Sequence, residues 1–399
     1  MRSLQLQTII TFLILYALII FIAQMGIRLL SEKFKKVKTR KFLWLFFIPS
    51  VINLILFFVF YVYPLSSRTS RCYQVYFWFN YILLADLLVK TIVALGYLSR
   101  RLFLKRDRVW PVICAFILSA GILLVMATAI LDFPCKIRTR KHTLTFNDLP
   151  EGFSDFRILH FSDLHLGSLR NNSPEVLKLE AAIIEYKPDL IVFTGDLFNN
   201  FSEESEGFDL SFLIHSAPSG VYGVLGNHDY GNYYHWKTEA EKAANFQGIL
   251  ETYKKSGIRL LLNENERITS RGDTISLIGV ENWGYPPFPQ HADLNKALKG
   301  VPKNSFKILL THDPAHWDHF VAGTDYIQLA LSGHTHGLQW GIKLAGIEFS
   351  LMKMVRSHWG GLYREGNSLL YVNRGLGTIG FPARIDMPAE ITILTLRKR

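Results

Sequence analysis

Four apolar stretches fill most of the first third of the chain, and they leave little choice of fold there. A bilayer is crossed by about 20 consecutive apolar residues in a helix, and each stretch is near that length. The first stretch lacks a cleavage pattern of small residues and is followed by three more, so we interpret it as a retained span rather than a signal peptide. Residues 1–132 are therefore predicted to hold four transmembrane helices, at Thr8 to Met25, Phe42 to Val62, Tyr76 to Leu98 and Val109 to Leu131.

Basic charge is concentrated in the same third of the chain. Up to Lys141 there are 20 lysines and arginines against 4 aspartates and glutamates, whereas the remainder has 24 against 29. The remainder is thus acidic, which argues against nucleic acid as a partner. Basic residues cluster between the first two stretches and between the last two, and positively charged loops face the cytoplasm. We therefore expect the domain after the fourth span to be extracytoplasmic, beside the lipid bilayer.

One ionisable pair lies inside the third stretch. Asp86 and Lys90 are four residues apart, a spacing at which helical side chains meet. Charges inside a membrane raise a functional hypothesis by default. A mutually neutralising structural pair is the alternative that we favour, because nothing else in the spans has the pattern of a relay.

The rest of the chain alternates short β-rich runs with helical patterns, which is typical of an α/β domain. Helices are predicted at Pro174 to Tyr186, where Ser173 is a suitable N-cap, and at Lys237 to Lys255. Residues 133–153 are predicted to be a linker and residues 154–399 a single domain. The predicted strands are Arg157 to Phe161, Asp189 to Thr194, Val221 to Leu225, Thr274 to Val280, Lys307 to Leu310, Ile327 to Leu331, Leu369 to Val372 and Glu390 to Leu396.

Five motifs with histidine, carboxylate or amide side chains each come directly after an apolar strand. Ligand sites of α/β sheets collect at the ends of strands, so we expect these motifs to meet at one edge. All 13 histidines of the chain lie at or beyond His142, which places its capacity for metal binding in this domain. The motifs are Ser162-Asp163-Leu164-His165, Gly195-Asp196-Leu197-Phe198-Asn199, Gly226-Asn227-His228-Asp229, Thr311-His312-Asp313-Pro314 and Gly333-His334-Thr335-His336-Gly337.

Two of the motifs contain a pair of ligands separated by one residue. In an extended chain such residues point the same way, so Asp163 with His165, and His334 with His336, can converge on one metal centre or on two adjacent ones. Imidazole, carboxylate and amide ligands suit Mn, Fe, Zn, Co and Ni alike. The ligand types therefore predict a divalent metal without choosing its identity.

In this order and spacing the motifs resemble the calcineurin-like metallophosphoesterase superfamily, from about Arg157 to the C-terminus. Four spans before such a domain also resemble the transmembrane metallophosphoesterase-domain proteins. After the four-helix transmembrane region predicted from the apolar stretches, the resemblance implies an α/β calcineurin-like four-layer sandwich, with two sheets between helices. Two positions depart from the superfamily pattern: Asn199 stands where many members have an acidic residue, and Leu338 where close relatives often have glycine.

The same resemblance implies two divalent metal ions and a role for each motif. His228 is expected to meet the substrate, and an imidazole is a suitable proton donor to a leaving oxygen. Asp229 either orients His228 or is a simple turn residue. The ligands implied are Asp163, His165 and His336 for one ion, Asn227, His312 and His334 for the other, and Asp196 as the bridge between them.

These inferences indicate hydrolysis of a phosphate ester or pyrophosphate, and the membrane region makes a lipid-linked or amphipathic substrate the expectation. Arg374 and Arg384 flank a glycine-rich segment and would suit a phosphate clamp, but a surface ion pair beside a flexible loop explains them equally well.

Two other functions stay open. One is the UDP-2,3-diacylglucosamine pyrophosphohydrolase of lipid A synthesis, although its substrate is cytoplasmic and the expected orientation is not. The other is a non-catalytic metal-binding sensor or transport subunit. His228 argues against the second, because a purely structural site does not need that extra histidine.

A long connection, from Leu338 to Trp359, follows the last motif. Loops of this length are often functional lids, and its apolar residues, interspersed with basic ones, suit a flap at a membrane interface. The alternative is a β-hairpin whose apolar face packs on the core, because Ile347-Glu348-Phe349 alternates like a strand.

Overall fold

The computed structural model describes residues 6–33, 39–62, 70–103, 108–132, 137–170, 172–286, 288–344 and 347–399. They fall into two compact units. The first comprises Met1–Ser67, Val75–Leu131 and Gly380–Pro382. The second comprises Arg68–Gln74, Asp132–Ile379 and Ala383–Arg399.

The first unit is mainly helical. Among the residues described, three helices are long and apolar enough to cross a membrane: Thr8–Lys33, Cys72–Phe103 and Trp110–Leu131. The second predicted span is not confirmed, since its apolar helical stretch covers only Phe46–Phe60 and ends in a π-helix, Phe58–Val62. The basic residues behind the expected orientation fall partly on residues 34–38 and 104–107, outside the described residues. The helices are α1 (Leu6–Lys33), α2 (Thr39–Phe57), α3 (Ser70–Phe103) and α4 (Trp110–Asp132).

Asp86 and Lys90 meet as their spacing predicted, in an ion pair between buried side chains of α3. Tyr16 of α1 donates to the Asp86 carboxylate at 2.5 Å, and Ser50 of α2 donates to it at 3.0 Å. The carboxylate therefore accepts hydrogen bonds from side chains of three helices. Such full pairing favours the structural interpretation of this pair.

The second unit is an α/β domain with two six-stranded sheets. Its strands are β1 (Arg138–Phe146), β2 (Arg157–Phe161), β3 (Leu190–Phe193), β4 (Val221–Gly223), β5 (Arg259–Leu260), β6 (Glu264–Ser270), β7 (Asp273–Gly279), β8 (Lys307–Leu310), β9 (Leu329–Ser332), β10 (Gly341–Leu344), β11 (Ile347–Ser350), β12 (Gly361–Glu365), β13 (Ser368–Val372) and β14 (Glu390–Lys398). The first sheet has the order β1-β14-β2-β3-β4-β5 and the second the order β12-β13-β9-β8-β7-β6.

The two sheets pack face to face, because alternate side chains of both, such as Ile158 and Ile308, share one apolar core. Strands β2 to β5 are parallel in the first sheet, and β7 to β9 are parallel in the second. The helices of this unit are α5 (Pro174–Tyr186), α6 (Glu239–Lys255), α7 (Leu294–Ala297) and α8 (Pro314–Phe320).

Helices cover the outer face of each sheet. Leu179 of α5 and Tyr253 of α6 are buried in the cluster on the first sheet, and Ala297 of α7 and Trp317 of α8 in the cluster on the second. Helix α5 starts as its sequence predicted, with the Ser173 side chain accepting from the backbone of the first turn. The order helices, sheet, sheet, helices is the layered arrangement that the resemblance implied.

The expected linker is partly strand. Within residues 133–153, β1 pairs in parallel with β14 from Arg138 opposite Glu390 to Phe146 opposite Lys398. Leu144 and Phe146 are buried in the core between the sheets. The domain therefore begins earlier than composition indicated. Composition missed this strand because the basic residues at its start concealed its alternating pattern.

The connection after the last motif is a hairpin, β10–β11, but its apolar face is not packed on the core. Ile342 and Phe349 are opposite each other and are 61% and 43% exposed. Glu348 is held instead to the domain by ion pairs with Arg140 and Arg374. We call this segment, from Gly341 to the end of the following 3-10 turn at Met354, the apolar hairpin.

Candidate metal centre

The five motifs meet where parallel strands of both sheets end. Asp163, Asp196 and Asn227 follow β2, β3 and β4 of the first sheet, while His312 and His334 follow β8 and β9 of the second. Since the sheets are packed face to face, loops from both reach the same edge. The position at strand ends thus brings together side chains that are up to 173 residues apart in the chain, as expected for α/β sheets.

Asp163, His165 and His336 form the first of two groups that could hold a metal ion. The Nε2 atoms of His165 and His336 are 3.1 Å apart, and His336 Nε2 lies 3.2 Å from Asp163 Oδ1. All three side chains are buried. Two of these ligands come from the first motif and one from the last, so His336 lies in a different group from its motif neighbour His334.

Asp196, His312 and His334 form the second group. His312 Nε2 lies 3.1 Å from Asp196 Oδ2 and 3.2 Å from His334 Nδ1. Asn227 joins them, with its Oδ1 3.2 Å from His312 Nε2 and its amide nitrogen donating to Tyr233. The hydrogen bond from the Asn227 amide nitrogen to Tyr233 fixes the orientation of the amide, so its oxygen faces the second ligand group.

Asp196 lies between the two groups. The oxygen that faces His312, Oδ2, is also 3.7 Å from His165 Nε2 in the first group. Its other oxygen accepts the backbone N–H of His228 at 2.8 Å. A carboxylate that faces a histidine of each group has the position that a bridging ligand requires.

Hydrogen bonds on the far side of two rings identify their free nitrogens. Nδ1 of His165 and Nδ1 of His312 donate to the carbonyls of Phe198 and Thr194, at 3.1 and 2.6 Å, since a carbonyl only accepts. In neutral rings the Nε2 atoms then carry lone pairs, and they face carboxylate, amide and imidazole acceptors. Acceptors facing one another at these distances need a positive charge between them, from a proton or a cation, and the residues present fit divalent metal ions.

The electrostatics of the cluster favour the same conclusion. Burial lowers the pKa of His165 to about 3, which keeps the ring neutral. Burial also lowers the pKa of His312, but the adjacent Asp196 carboxylate outweighs it and raises the pKa to about 10. The pKa of Asp196 stays well below its usual value, because the surrounding imidazoles outweigh burial. The carboxylates thus attract a positive charge, which a proton or a metal ion can supply.

Five of the candidate ligands have left-handed backbone. Their φ angles lie between 46° and 70°, a conformation that costs a non-glycine residue on the order of 1–3 kcal/mol. The sequence analysis expected an extended chain at the ligand pairs, and this expectation was wrong. The ligands converge instead through sharp turns after the strands. The five residues are Asp163, His165, Asp196, His334 and His336.

Two motif glycines let these turns approach each other. Gly195 has a φ of +93°, and a Cβ atom there would lie 2.5 Å from the backbone nitrogen of Gly226. A side chain would therefore separate the turn that carries Asp196 from the turn that carries Asn227.

His228 lies beside the first group. Its ring centroid is 5.0 Å from that of His165, and its ring stacks on Tyr233 at 4.3 Å. Nδ1 donates to the carbonyl of Asn199 at 2.8 Å, so Nε2 is the nitrogen able to exchange a proton. Burial lowers the pKa of this half-buried ring. His228 is therefore adjacent to the candidate ligands, and its contact with a substrate stays a prediction of the resemblance.

Asp229 does not serve His228 but the loop of Asp196. Its carboxylate accepts backbone N–H groups of Gly226, Asp196, Leu197 and Phe198 at 2.9 to 3.2 Å, and the Tyr253 hydroxyl at 2.8 Å. Burial, followed by the Asp196 charge, raises its pKa to about 7. Asp229 is therefore better described as a residue that holds the turn than as one that orients His228.

Glu204 is a second loop-holding carboxylate, and the sequence analysis missed it. It accepts backbone N–H groups of Gly167, Asn199, Asn200 and Phe201, and burial raises its pKa to about 7. The Asn199 side chain also donates to Glu204, at 3.1 Å. An acidic residue at position 199 would repel this carboxylate, which explains the departure from the superfamily pattern.

Asp313, in the fourth motif, contacts His334 and Arg356. His334 Nε2 lies 3.3 Å from Asp313 Oδ2, and a carboxylate only accepts, so Nδ1 of His334 is free to face the second group. The other oxygen caps α8 by accepting from Ala315. Arg356 Nη2 donates to the same oxygen as His334, at 3.2 Å.

Arg374 and Arg384 are buried and bound to protein groups. Arg374 donates to Glu348 at 2.5 Å and lies over Trp359. Arg384 donates to the carbonyls of Arg374 and Gly377 at 2.9 and 2.6 Å, with Nη2 3.2 Å from His336 Nδ1. These contacts do not support the predicted phosphate clamp. Nor are the residues surface ion pairs, since both guanidinium groups stabilise the interior beside the site.

The motifs lie within a stretch that is similar to known proteins. The model of the calcineurin-like phosphoesterase family matches residues 156–338, which include all five motifs. The uncharacterized metallophosphoesterase YkuE of Bacillus subtilis (strain 168) is 33% identical over 66% of this chain and 87% of its own length. An uncharacterized metallophosphoesterase of Aquifex aeolicus (strain VF5) is 27% identical over 65% of this chain and 92% of its own.

A membrane protein is among the relatives. A Danio rerio protein named transmembrane protein with metallophosphoesterase domain is 29% identical over 63% of this chain and 55% of its own length. Divalent metals are used by proteins with this domain, in keeping with the donor set described above. From the motifs, the two packed sheets and these likenesses, the chain belongs to the calcineurin-like metallophosphoesterase family.

Proposed function

We propose that the protein is a membrane-anchored phosphoesterase that uses two divalent metal ions to hydrolyse a phosphate ester or pyrophosphate on a lipid-linked substrate. The observation that carries the proposal is the pair of adjacent ligand groups with Asp196 between them. Asp163, His165 and His336 would hold one ion, and Asn227, His312 and His334 the other. Asp196 would contact both.

When bound, two adjacent metal ions supply an activated water and charge stabilisation for in-line displacement at phosphorus. The chain contributes the fixed geometry, because its strained turns and the carboxylates of Asp229 and Glu204 hold the ligands in place. In its doubly protonated, imidazolium form, His228 would donate the Nε2 proton to the leaving oxygen, while its Nδ1–H stays bound to the Asn199 carbonyl.

The proposal is tested with the purified full-length protein in detergent. Phospholipids, polyprenyl phosphates, nucleotides and sugar nucleotides are assayed with Mn, Zn, Fe, Co and Ni in turn. We expect metal-dependent release of phosphate or of a phosphorylated product from a lipid-linked class, and loss of that release with a chelator. The absence of hydrolysis in every class with every metal would contradict it.

The apolar hairpin supports a lipid-linked substrate. Ile342 and Phe349 are exposed on one face, and Leu351 and Met354 are 53% and 78% exposed just after it. The salt bridges of Glu348 hold the hairpin with this face outward. An outward apolar face next to a basic residue, Lys353, suits contact with acyl chains below anionic headgroups. Trp359, which the flap hypothesis included, is buried and does not belong to this face.

We expect serine at Ile342, Phe349 and Met354 together to lower hydrolysis of a lipid-linked phosphate in vesicles by about tenfold or more. Each such side chain gains on the order of 1.5–3 kcal/mol when it leaves water for an apolar phase. Hydrolysis of a small soluble ester and the melting temperature should stay nearly unchanged, because these side chains are exposed in the folded protein.

The matched control replaces Leu177 and Ile184 of α5, which are 54% and 68% exposed, with serine. This variant should hydrolyse both substrates as the wild type does. If the hairpin variant loses both activities and thermal stability together, the hairpin is structural and the lipid contact is wrong.

Orientation is a separate prediction, and it rests on the basic residues between the first two and the last two apolar stretches. A reporter fused after Arg399 should read extracytoplasmic, and one inserted near Lys36 should read cytoplasmic. The reverse pattern would contradict the extracytoplasmic placement and favour a cytoplasmic sugar-nucleotide substrate.

A further inference from the structure

We propose that Arg356 forms a second anion site beside the metal centre and binds the non-reacting phosphoryl group of a substrate with two linked phosphoryl groups. This inference rests on the proposed function and narrows its substrate class to diphosphates. It uses a residue of the long connection for which the sequence pattern gave no individual role.

The position of Arg356 is fixed by one oxygen of Asp313. Arg356 Nη2 and His334 Nε2 both contact Asp313 Oδ2, at 3.2 and 3.3 Å. The opposite nitrogen of the same histidine, Nδ1, faces the second ligand group. The guanidinium group therefore lies one imidazole ring away from that group, on its outer side.

The guanidinium group has donors to spare. Its Nη1 atom is buried and has no hydrogen-bond partner among the described residues. The Arg356 side chain is only 12% exposed, and its guanidinium carbon lies 4.8 Å from the centre of the Tyr285 ring. A buried donor without a partner is unfavourable, most of all on a charged group, so a ligand on this nitrogen would relieve that cost.

A phosphoryl group is the ligand that this geometry suits. Arginine offers a planar fork of donors that matches phosphate oxygens, and the ring of Tyr285 keeps the plane in place. Arg374 also has buried donors without a partner among the described residues, but its guanidinium group contacts Glu348 and Trp359 and not the Asp313 carboxylate beside His334. Arg384 is held by backbone carbonyls.

The intervening imidazole decides which phosphoryl group is bound. The reacting group is expected between the two ligand groups, and His334 separates Arg356 from that position. A second phosphoryl group, joined to the first through one bridging oxygen, extends past the edge of the centre and can reach the outer side of His334. A substrate with a single phosphoryl group would leave Arg356 unused.

The test measures binding by calorimetry on the metal-loaded full-length protein, with inorganic pyrophosphate and orthophosphate as probes. In Arg356→Gln, we expect the Kd for pyrophosphate to rise about tenfold to a hundredfold, the range of one hydrogen bond to a charged group. The Kd for orthophosphate should change by less than about twofold on the same scale. Metal content, measured by mass spectrometry, should not change.

Two variants serve as controls. Arg356→Lys keeps the charge and the contact with Asp313 but not the fork, so its pyrophosphate affinity should fall between wild type and Arg356→Gln. Arg364→Gln removes an exposed arginine of β12 and should bind both probes as the wild type does.

The outcomes separate this inference from the proposed function. If Arg356→Gln loses metal, the residue acts only through Asp313 and His334, and the anion site is wrong. Equal weakening of both probes, or no weakening, also contradicts it. Pyrophosphate binding that depends on Arg356 in a protein without phosphoesterase activity would support the site and contradict the proposed function.

Discussion

Asp196→Asn is expected to reduce hydrolysis of a generic aryl phosphate ester by about three orders of magnitude or more. The bridging position puts Oδ2 next to a histidine of each group, so a neutral amide there weakens both metal sites at once. Metal ions contribute several kcal/mol of charge stabilisation to phosphoryl displacement, and each 1.36 kcal/mol corresponds to a factor of ten in rate. Metal content, measured by mass spectrometry on the purified variant, should fall together with activity.

The control for this substitution is Asp209→Asn, which changes a fully exposed carboxylate of the same domain in the same way. It should keep both metal content and activity. An Asp196→Asn variant that retains full metal and full activity would show that the two groups do not form one bridged centre.

His228→Ala should behave differently, keeping its metal while losing turnover by about a hundredfold to ten-thousandfold, the usual contribution of a general acid. The Asp196 carboxylate accepts the backbone N–H of His228, which alanine retains, so the ligand groups stay in place. The loss should be larger for esters with poor leaving groups, because these need a proton most. Rates for a series of aryl esters of increasing leaving-group pKa measure this dependence.

His215→Ala is the matched control, since it removes an exposed histidine of the same domain. It should hydrolyse the whole series as the wild type does. A uniform loss across the series in His228→Ala would assign the ring to positioning or charge stabilisation instead of proton donation.

The sequence predicted the members of the centre because their chemistry and their position are both local signals. Asp163 and His334, for example, each follow an apolar strand, and strand ends determine where loops collect. The spacing of the motifs did not predict the left-handed turns at His334 and His336. These turns place the two side chains in different ligand groups.

Supporting residues were harder to predict than ligands. Glu204 stands in an ordinary acidic run, and only the folded loop shows that its carboxylate accepts four backbone N–H groups. Arg384 was conspicuous beside glycines, yet burial turned it toward backbone carbonyls rather than substrate. Both roles depend on contacts between segments distant in sequence, for which local patterns carry no signal.

The apolar hairpin also shows what a local sequence pattern cannot predict. Alternation at Ile347-Glu348-Phe349 correctly predicted a strand, but alternation alone does not say which face is turned inward. The ion pairs of Glu348 with Arg140 and Arg374 decided which face is turned inward. Charge pairing thus turned the apolar face outward, against the ordinary expectation for a half-buried strand.

The most direct test of the central claim is a metal titration of the chelator-treated, full-length protein. Bound metal per chain and hydrolysis of an aryl phosphate ester are measured on the same samples. We expect no activity without metal, and full activity only as the second ion per chain is bound. Hydrolysis by the metal-free protein, or full activity with a single ion per chain, would contradict it.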